Sequence, residues 1–243
     1  MKKRQDDNRP GFPGDAYADV MRHMEERGID NAVALSGKLK DVAEVVELCG
    51  SRFDGYQARV ETQRTSGMTD EVLVVFTDAD IPKEEGMAGV EIPPGSPVLV
   101  SGKIQTLKDF RSGKVKVFVL ADFLAMAKNP MEQNDVMLRG VIANKPIYRE
   151  TPRGKRITDI MVRVKGEIMR KPSFCFVPCV CWQEQADEVA GWHEGDEVGL
   201  AGRYQSRQYE KVVDVESGKR ETRTAYEVSV RRIGRKDEAR NES

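Results

Sequence analysis

Apolar and polar positions alternate along Asn31-Ala-Val33-Ala-Leu35-Ser-Gly37, and again along Asn134-Asp-Val136-Met-Leu138-Arg-Gly140, 103 positions later. Val98-Leu-Val100-Ser-Gly102-Lys-Ile104 returns as Val198-Gly-Leu200-Ala-Gly202-Arg-Tyr204, 100 positions later. A period of two is that of a half-buried strand, and the glycine that follows marks a bulge or a sharp bend. Two motifs repeated at nearly one offset predict a duplicated domain of roughly 100 residues. That is longer than the ~20–50 residues of a solenoid repeat.

The same pattern predicts strands in the first half at 31–37, 41–48, 55–64, 70–77, 97–106 and 114–121. Gly50, Ser66-Gly67, Pro93-Pro94-Gly95 and Ser112-Gly113 supply the turns. Residues 78–95 read as a loop or short helix. In the second half the strands fall at 134–142, 156–164, 173–182, 196–206 and 224–233, with a helix over 183–191 between the third and fourth. Five strands with a helix in that place is the layout of the OB-fold, a partly open Greek-key barrel. The expected fold class is all-β with short helices, as two tandem five-stranded OB barrels. The expected units are a lead-in and short helix over 1–28, one barrel over 29–127, a junction over 128–133, a second barrel over 134–234 and a polar tail over 235–243. In the lead-in, Asp15 is the N-cap and Gly28 the stop of a helix whose Tyr17, Val20, Met21 and Met24 face the first barrel.

Composition adds limits. The net charge is −1, so any polyanion site has to be a local patch. No apolar run reaches the ~18 residues of a membrane span, and the basic start lacks a signal-peptide core. A cytoplasmic protein is expected. Of the four cysteines, Cys175, Cys179 and Cys181 share one face of a predicted strand and Cys49 stands apart. Their spacing is not that of a zinc or redox pair, so they read as small buried hydrophobes, with no metal and no cofactor expected. The chain has two histidines, and neither a phosphate-binding loop, a zincin helix nor a nucleophile elbow, so no enzyme is expected.

The second half resembles the bacterial single-stranded DNA-binding protein (SSB) family. The resemblance rests on five pieces in order: Asn134-x-Val136-x-Leu138-x-Gly140-x-Ile142; Pro146-x-x-Arg149-x-Thr151-x-x-Gly154; Phe174-x-Phe176 to Trp182; Trp192-x-x-Gly195 through Gly202 to Tyr209; and Gly218-Lys to Tyr226-x-Val228-x-Val230. The first half is a more distant relative, keeping the opening strand and Gly95-x-x-Val98-x-Val100-x-Gly102. Its Phe53 to Asp70 segment also resembles primosomal relatives of the family. The resemblance implies single-stranded DNA binding without strong sequence preference, in replication, recombination or repair. It places Phe176 and Trp182 where the family stacks bases. It also implies a homodimer that would bring four barrels together. The family's acidic tip, which recruits replication and repair proteins, is not matched by the closing Lys236-Asp-Glu-Ala-Arg-Asn-Glu-Ser243, so such partners are not expected through it.

Binding a single strand needs aromatic faces for bases, at about 1–3 kcal/mol each, and cations for phosphates. Phe174, Phe176 and Trp182 share parity on their strand, opposite the cysteines. They are either exposed stackers or barrel filling, and the small apolar cysteine face is the better candidate for the core. Tyr148, Tyr204 and Tyr209 adjoin Arg149, Arg203 and Arg207, and Arg153, Lys155 and Arg156 cluster at a turn. In the first half Tyr56, Arg59, Arg64 and Lys103 form a thinner set. The competing readings are a primosome-type protein-interaction module and an RNA-binding OB protein, since the fold serves several ligands.

Overall fold

The computed structural model describes residues 22, 24–64, 66–82, 92–127, 133–151, 154–168, 171–212 and 220–236. The first half folds into β1 (Asn31–Leu48), β2 (Ser51–Gln63), β3 (Thr69–Phe76), β4 (Pro97–Lys108) and β5 (Val115–Met126). The second half gives β6 (Gln133–Ile142), β7 (Ile147–Glu150), β8 (Arg156–Ile168), β9 (Lys171–Trp182), a short helix α1 (Glu184–Val189), β10 (Glu197–Val212) and β11 (Arg220–Arg235).

The hydrogen-bonded ladder closes on itself twice. Strands β1-β2-β3-β5-β4 return to β1, and β6-β8-β9-β11-β10 return to β6. These are two five-stranded OB barrels. In each, the closing contact between the third and fifth strands is short and parallel, β3 with β5 and β9 with β11. The barrels fuse where β1 lies antiparallel to β6, so the whole is one sheet of eleven strands, with β7 on the far edge of β8.

Alternation explains the interior. Val33, Leu35, Val72, Val74, Val98, Val100 and Val119 fill the first barrel, and Val136, Leu138, Val162, Val164, Val177, Leu200 and Val228 the second. The first unit was expected to hold six separate strands and the second five. Segments 31–37 and 41–48 are instead one bent strand, because Gly37 lets β1 swing from β4 onto β2. A Cβ at Gly37 would collide with the Glu61 carbonyl, and one at Gly140 with the Arg163 carbonyl. The repeated glycines therefore mark strand crossings. Gly140→Ala is expected to cost about 1–3 kcal/mol through overpacking, read as a lower urea midpoint.

The repeated asparagines have a matching task. Asn31 donates to the Ile104 carbonyl at 2.7 Å and accepts from its N–H at 2.9 Å. Asn134 does the same to Tyr204, at 2.7 and 2.8 Å. Both side chains are buried and clamp the strand that follows the repeated Gly102 and Gly202. The β1–β6 pairing is centred on Val33 opposite Val136, with Asn31 opposite Leu138 and Leu35 opposite Asn134. The two repeats are thus related by a local two-fold through that pair.

The predicted helix over 15–27 lies mostly outside the described residues. Within its span Arg22 and 24–26 are helical, and Met24 is buried. The strand β7 was not expected. The hairpin β10–β11 runs further than expected, pairing out to Val212 opposite Arg220 and including Arg235, which had been assigned to the tail.

All four cysteines are free and buried. Burial pushes the Cys181 thiol up to about 12 and holds Cys179 well above the ordinary thiol value. Ellman's reagent at pH 8 is expected to leave Cys175, Cys179 and Cys181 unmodified until denaturant is added. Stability should also fall with rising pH. Below the ordinary thiol value of 9.0 the group is neutral in both states; between there and about 12 only the unfolded chain loses the proton. Cys181 alone then removes about 1.4 kcal/mol per pH unit.

Candidate nucleic-acid interface

Strands β8 and β9 pair without a register break from Ile157 opposite Trp182 to Ile168 opposite Lys171. No bulge forms at Pro178, so the parity of β9 holds along its length. Cys175, Val177, Cys179 and Cys181 point into the barrel. Phe174 and Phe176 point outward, 57% and 47% exposed. Trp182 shares their side, half-buried, with its indole N–H donating to Ser229 Oγ at 3.0 Å.

Opposite this row on β8 stand the cations. Lys165 pairs across from Phe174 and Arg163 from Phe176. The Arg163 guanidinium sits 5.1 Å from the centre of the Phe174 ring. Among the described residues Arg163 has no carboxylate within salt-bridge distance, and the Lys165 amine is 3.5 Å from Asp30. Exposed apolar rings beside an arginine are costly to leave in water and suited to a planar, anionic ligand. Phe174 and Phe176 lie about 6.6 Å apart along the strand, and Trp182 closes a row about 26 Å long.

Arg149 lies on the same outer face, bonded to Asp159 at 2.7 Å. Arg156 pairs with Asp187 at 2.7 Å, and Lys155 is exposed in the preceding turn. Such exposed pairs are weak, of the order of 0–1 kcal/mol, and can be exchanged for phosphate. Arg153 lies outside the described residues. Tyr148 points the other way from Phe176, its hydroxyl donating to Asp187 at 3.2 Å.

The remaining expected residues lie on or beside β2, β4 and β10. Tyr204 is fully buried and its hydroxyl donates to the Val117 carbonyl of the first barrel at 2.9 Å, so it has no ring face to offer a base. Arg203 and Arg64 both bind Asp70, at 3.0 and 2.8 Å, in a buried cluster between the barrels. Burial lowers the Arg203 pKa, with Asp70 opposing it. Arg207 and Tyr209 lie together on the outer row of β10, with the guanidinium 5.7 Å from the ring centre. Tyr56 is partly buried and stacks on Phe76 at 5.3 Å. Arg59 is tied to Asp41 and Glu71, and Lys103 is exposed on β4. Sequence reasoning missed Arg163 and Lys165. Both share β8 parity with exposed positions, a signal that becomes legible once the register against Phe174 and Phe176 is known.

The model of the single-strand binding protein family matches residues 133–235, the barrel that carries this face. Over that barrel the chain is similar to the single-strand binding protein family. The single-stranded DNA-binding protein 1 of Streptococcus agalactiae (serotype III, strain NEM316) is 31% identical over 81 residues, which is 32% of this chain and 50% of that one. The single-stranded DNA-binding protein of Bacillus cereus is 32% identical over 81 residues, 48% of its length. The chain thus spans about half the length of the curated relatives it matches. The wild-type single-stranded DNA binding protein of Thermus aquaticus has the same fold, with a TM-score of 0.61 at 19% identity, covering 84% of this chain and 92% of that one. A deletion mutant of the same Thermus protein gives 0.60 at 20% identity. In the matched barrel, Phe174, Phe176 and Trp182 fall on one outward row. No helix among the described residues is long and apolar enough to cross a membrane.

Proposed function

We propose that this protein binds single-stranded DNA without strong sequence preference and protects it during replication, recombination or repair. The observation that carries this is the outward row of Phe174, Phe176 and Trp182 with Arg163 and Lys165 across the ladder. Bases stack on the rings, and phosphates lie against Arg163, Lys165, Arg149 and Lys155. Stacking reads no base edge, so it is tolerant of sequence. A duplex hides its base faces and gains only from the cations. The proposal extends to a dimer of chains, which would present four barrels.

Fluorescence anisotropy of a labelled poly-dT strand, titrated at several salt concentrations with duplex competitor, tests this. Expected are tight binding, resistance to the duplex, and a fall in log K with log salt of about −0.7 per phosphate, so about −2.8 if all four cations engage. Absence of binding at low salt, or equal competition by duplex, would overturn it. Stronger binding of poly-U than poly-dT would make RNA the ligand.

A further inference from the structure

The local two-fold relates each position of the binding face to one in the first barrel. Val180 opposite Ser229 corresponds to Val75 opposite Leu120. Counting along the strands, Phe176 and Phe174 then correspond to Glu71 and Thr69, and their partners Arg163 and Lys165 to Glu61 and Gln63. A second observation fixes the same register. Thr106 Oγ1 accepts the Phe176 N–H at 3.0 Å, and Ser206 Oγ accepts the Glu71 N–H at 3.1 Å.

The first barrel's version of the face is therefore acidic where the second is aromatic and basic. Glu61 and Glu71 share Lys40, and Arg59 joins Asp41 to Glu71. Two cations serve three carboxylates, and a phosphate approaching this side meets carboxylates already holding their counterions. The rest of the face is filled by the chain itself. The outward Val75 and Phe118 are buried under Leu48 and Cys49 at the tip of the β1–β2 hairpin, with Phe53, Leu73, Leu107 and Leu120 packed around them. The β4–β5 loop closes onto the same tip through Arg111 bonded to Glu47 at 2.8 Å.

Resting on the single-strand reading above, we infer that each chain carries one strand-binding face, that of the second barrel, and that the first barrel braces this face instead of offering a second. The brace is Thr106, a positioning residue whose hydroxyl holds the backbone of Phe176 from across the barrel junction. The short β4–β5 hairpin stops there and leaves both rings open. The longer β10–β11 hairpin meets the first barrel at Glu71 and continues past it.

The full chain is titrated with oligo-dT of about 10 nucleotides, within the span one OB-fold accepts, at protein concentrations far above Kd. One equivalent per chain is expected. Photo-cross-linking with iodouracil in the same oligonucleotide is expected to label β8–β9 and not Phe53, Tyr56 or Phe110. Two equivalents, or labelling of those three residues, would overturn this inference and leave the single-strand reading standing. No binding at all would overturn both. Thr106→Val is expected to weaken binding about five-fold, the worth of one hydrogen bond, with Thr106→Ser restoring it. Ser206→Ala, which removes the equivalent bond to Glu71, is expected to leave affinity unchanged. Equal losses in Thr106→Val and Ser206→Ala, or no loss in Thr106→Val, would remove the brace.

Discussion

A chain carrying Phe174→Ala and Phe176→Ala together is expected to lose roughly 30-fold or more of its affinity for poly-dT. Each stacked base contributes about 1–3 kcal/mol, so two lost rings remove at least about 2 kcal/mol. Neither ring belongs to the barrel interior, since both stand outward and about half exposed. The unfolding midpoint should accordingly move little, because surface changes away from buried features stay within about 0.5 kcal/mol. The salt dependence should persist, because Arg163, Lys165 and the turn cations remain. This separates stacking from phosphate contact. A double variant that binds like the parent would show that these rings are not the stacking platform. Anisotropy titration and urea unfolding on one preparation read both quantities.

The largest expected loss of stability comes from Asp70→Ala. Asp70 is fully buried and accepts from Arg64 at 2.8 Å, from Arg203 at 3.0 Å and from the Ser206 backbone at 3.2 Å. It is the only carboxylate that these described contacts give the two guanidiniums. Both are about four-fifths covered, with side-chain exposures of 21% and 17%. Removing one partner of a buried ion pair leaves charge uncompensated and costs about 3–5 kcal/mol. The lower end is expected here, since each arginine keeps some access to water. Asp70→Asn keeps the shape and an acceptor for the Ser206 N–H, and should lose less. Chemical unfolding of the three proteins checks the order. Equal midpoints for Asp70→Ala and the parent would show that the cluster contributes nothing to joining the barrels.

Much of the architecture was legible along the chain because burial on one face of a strand writes a period of two into the sequence. The duplicated Asn-x-Val-x-Leu-x-Gly motif and the pair Val98-x-Val100-x-Gly102 and Val198-x-Leu200-x-Gly202 mark both barrels, and the structure gives the repeated asparagine and glycine a cause. The asparagine clamps a strand, and the glycine lets two strands cross. The outward row of β9 was legible for the same reason, as the cysteines and the aromatics fall on opposite parities. Pieces without periodicity were not. Strand β7 is a four-residue edge with every side chain exposed, so it carries no apolar alternation to read. Tyr204 follows an arginine, as a groove residue would, yet lies at the barrel junction with its hydroxyl on Val117. Adjacency in sequence puts neighbours on opposite faces of a strand, and only one of Arg203 and Tyr204 can point outward.

The sequence by itself determined the number of barrels, most of their strands and the face on which the aromatics stand, because these follow from local alternation and from glycines where strands cross. Tertiary structure alone decided the pairing of β1 with β6 that makes one eleven-stranded sheet, since register between distant strands is set by the fit of whole faces. It also decided which cations meet which partners. Arg163 comes beside Phe174, while Arg64 and Arg203 are drawn to a buried carboxylate between the barrels. A charge finds its counterion through space, and the chain order of arginines says nothing about where the nearest carboxylate will be.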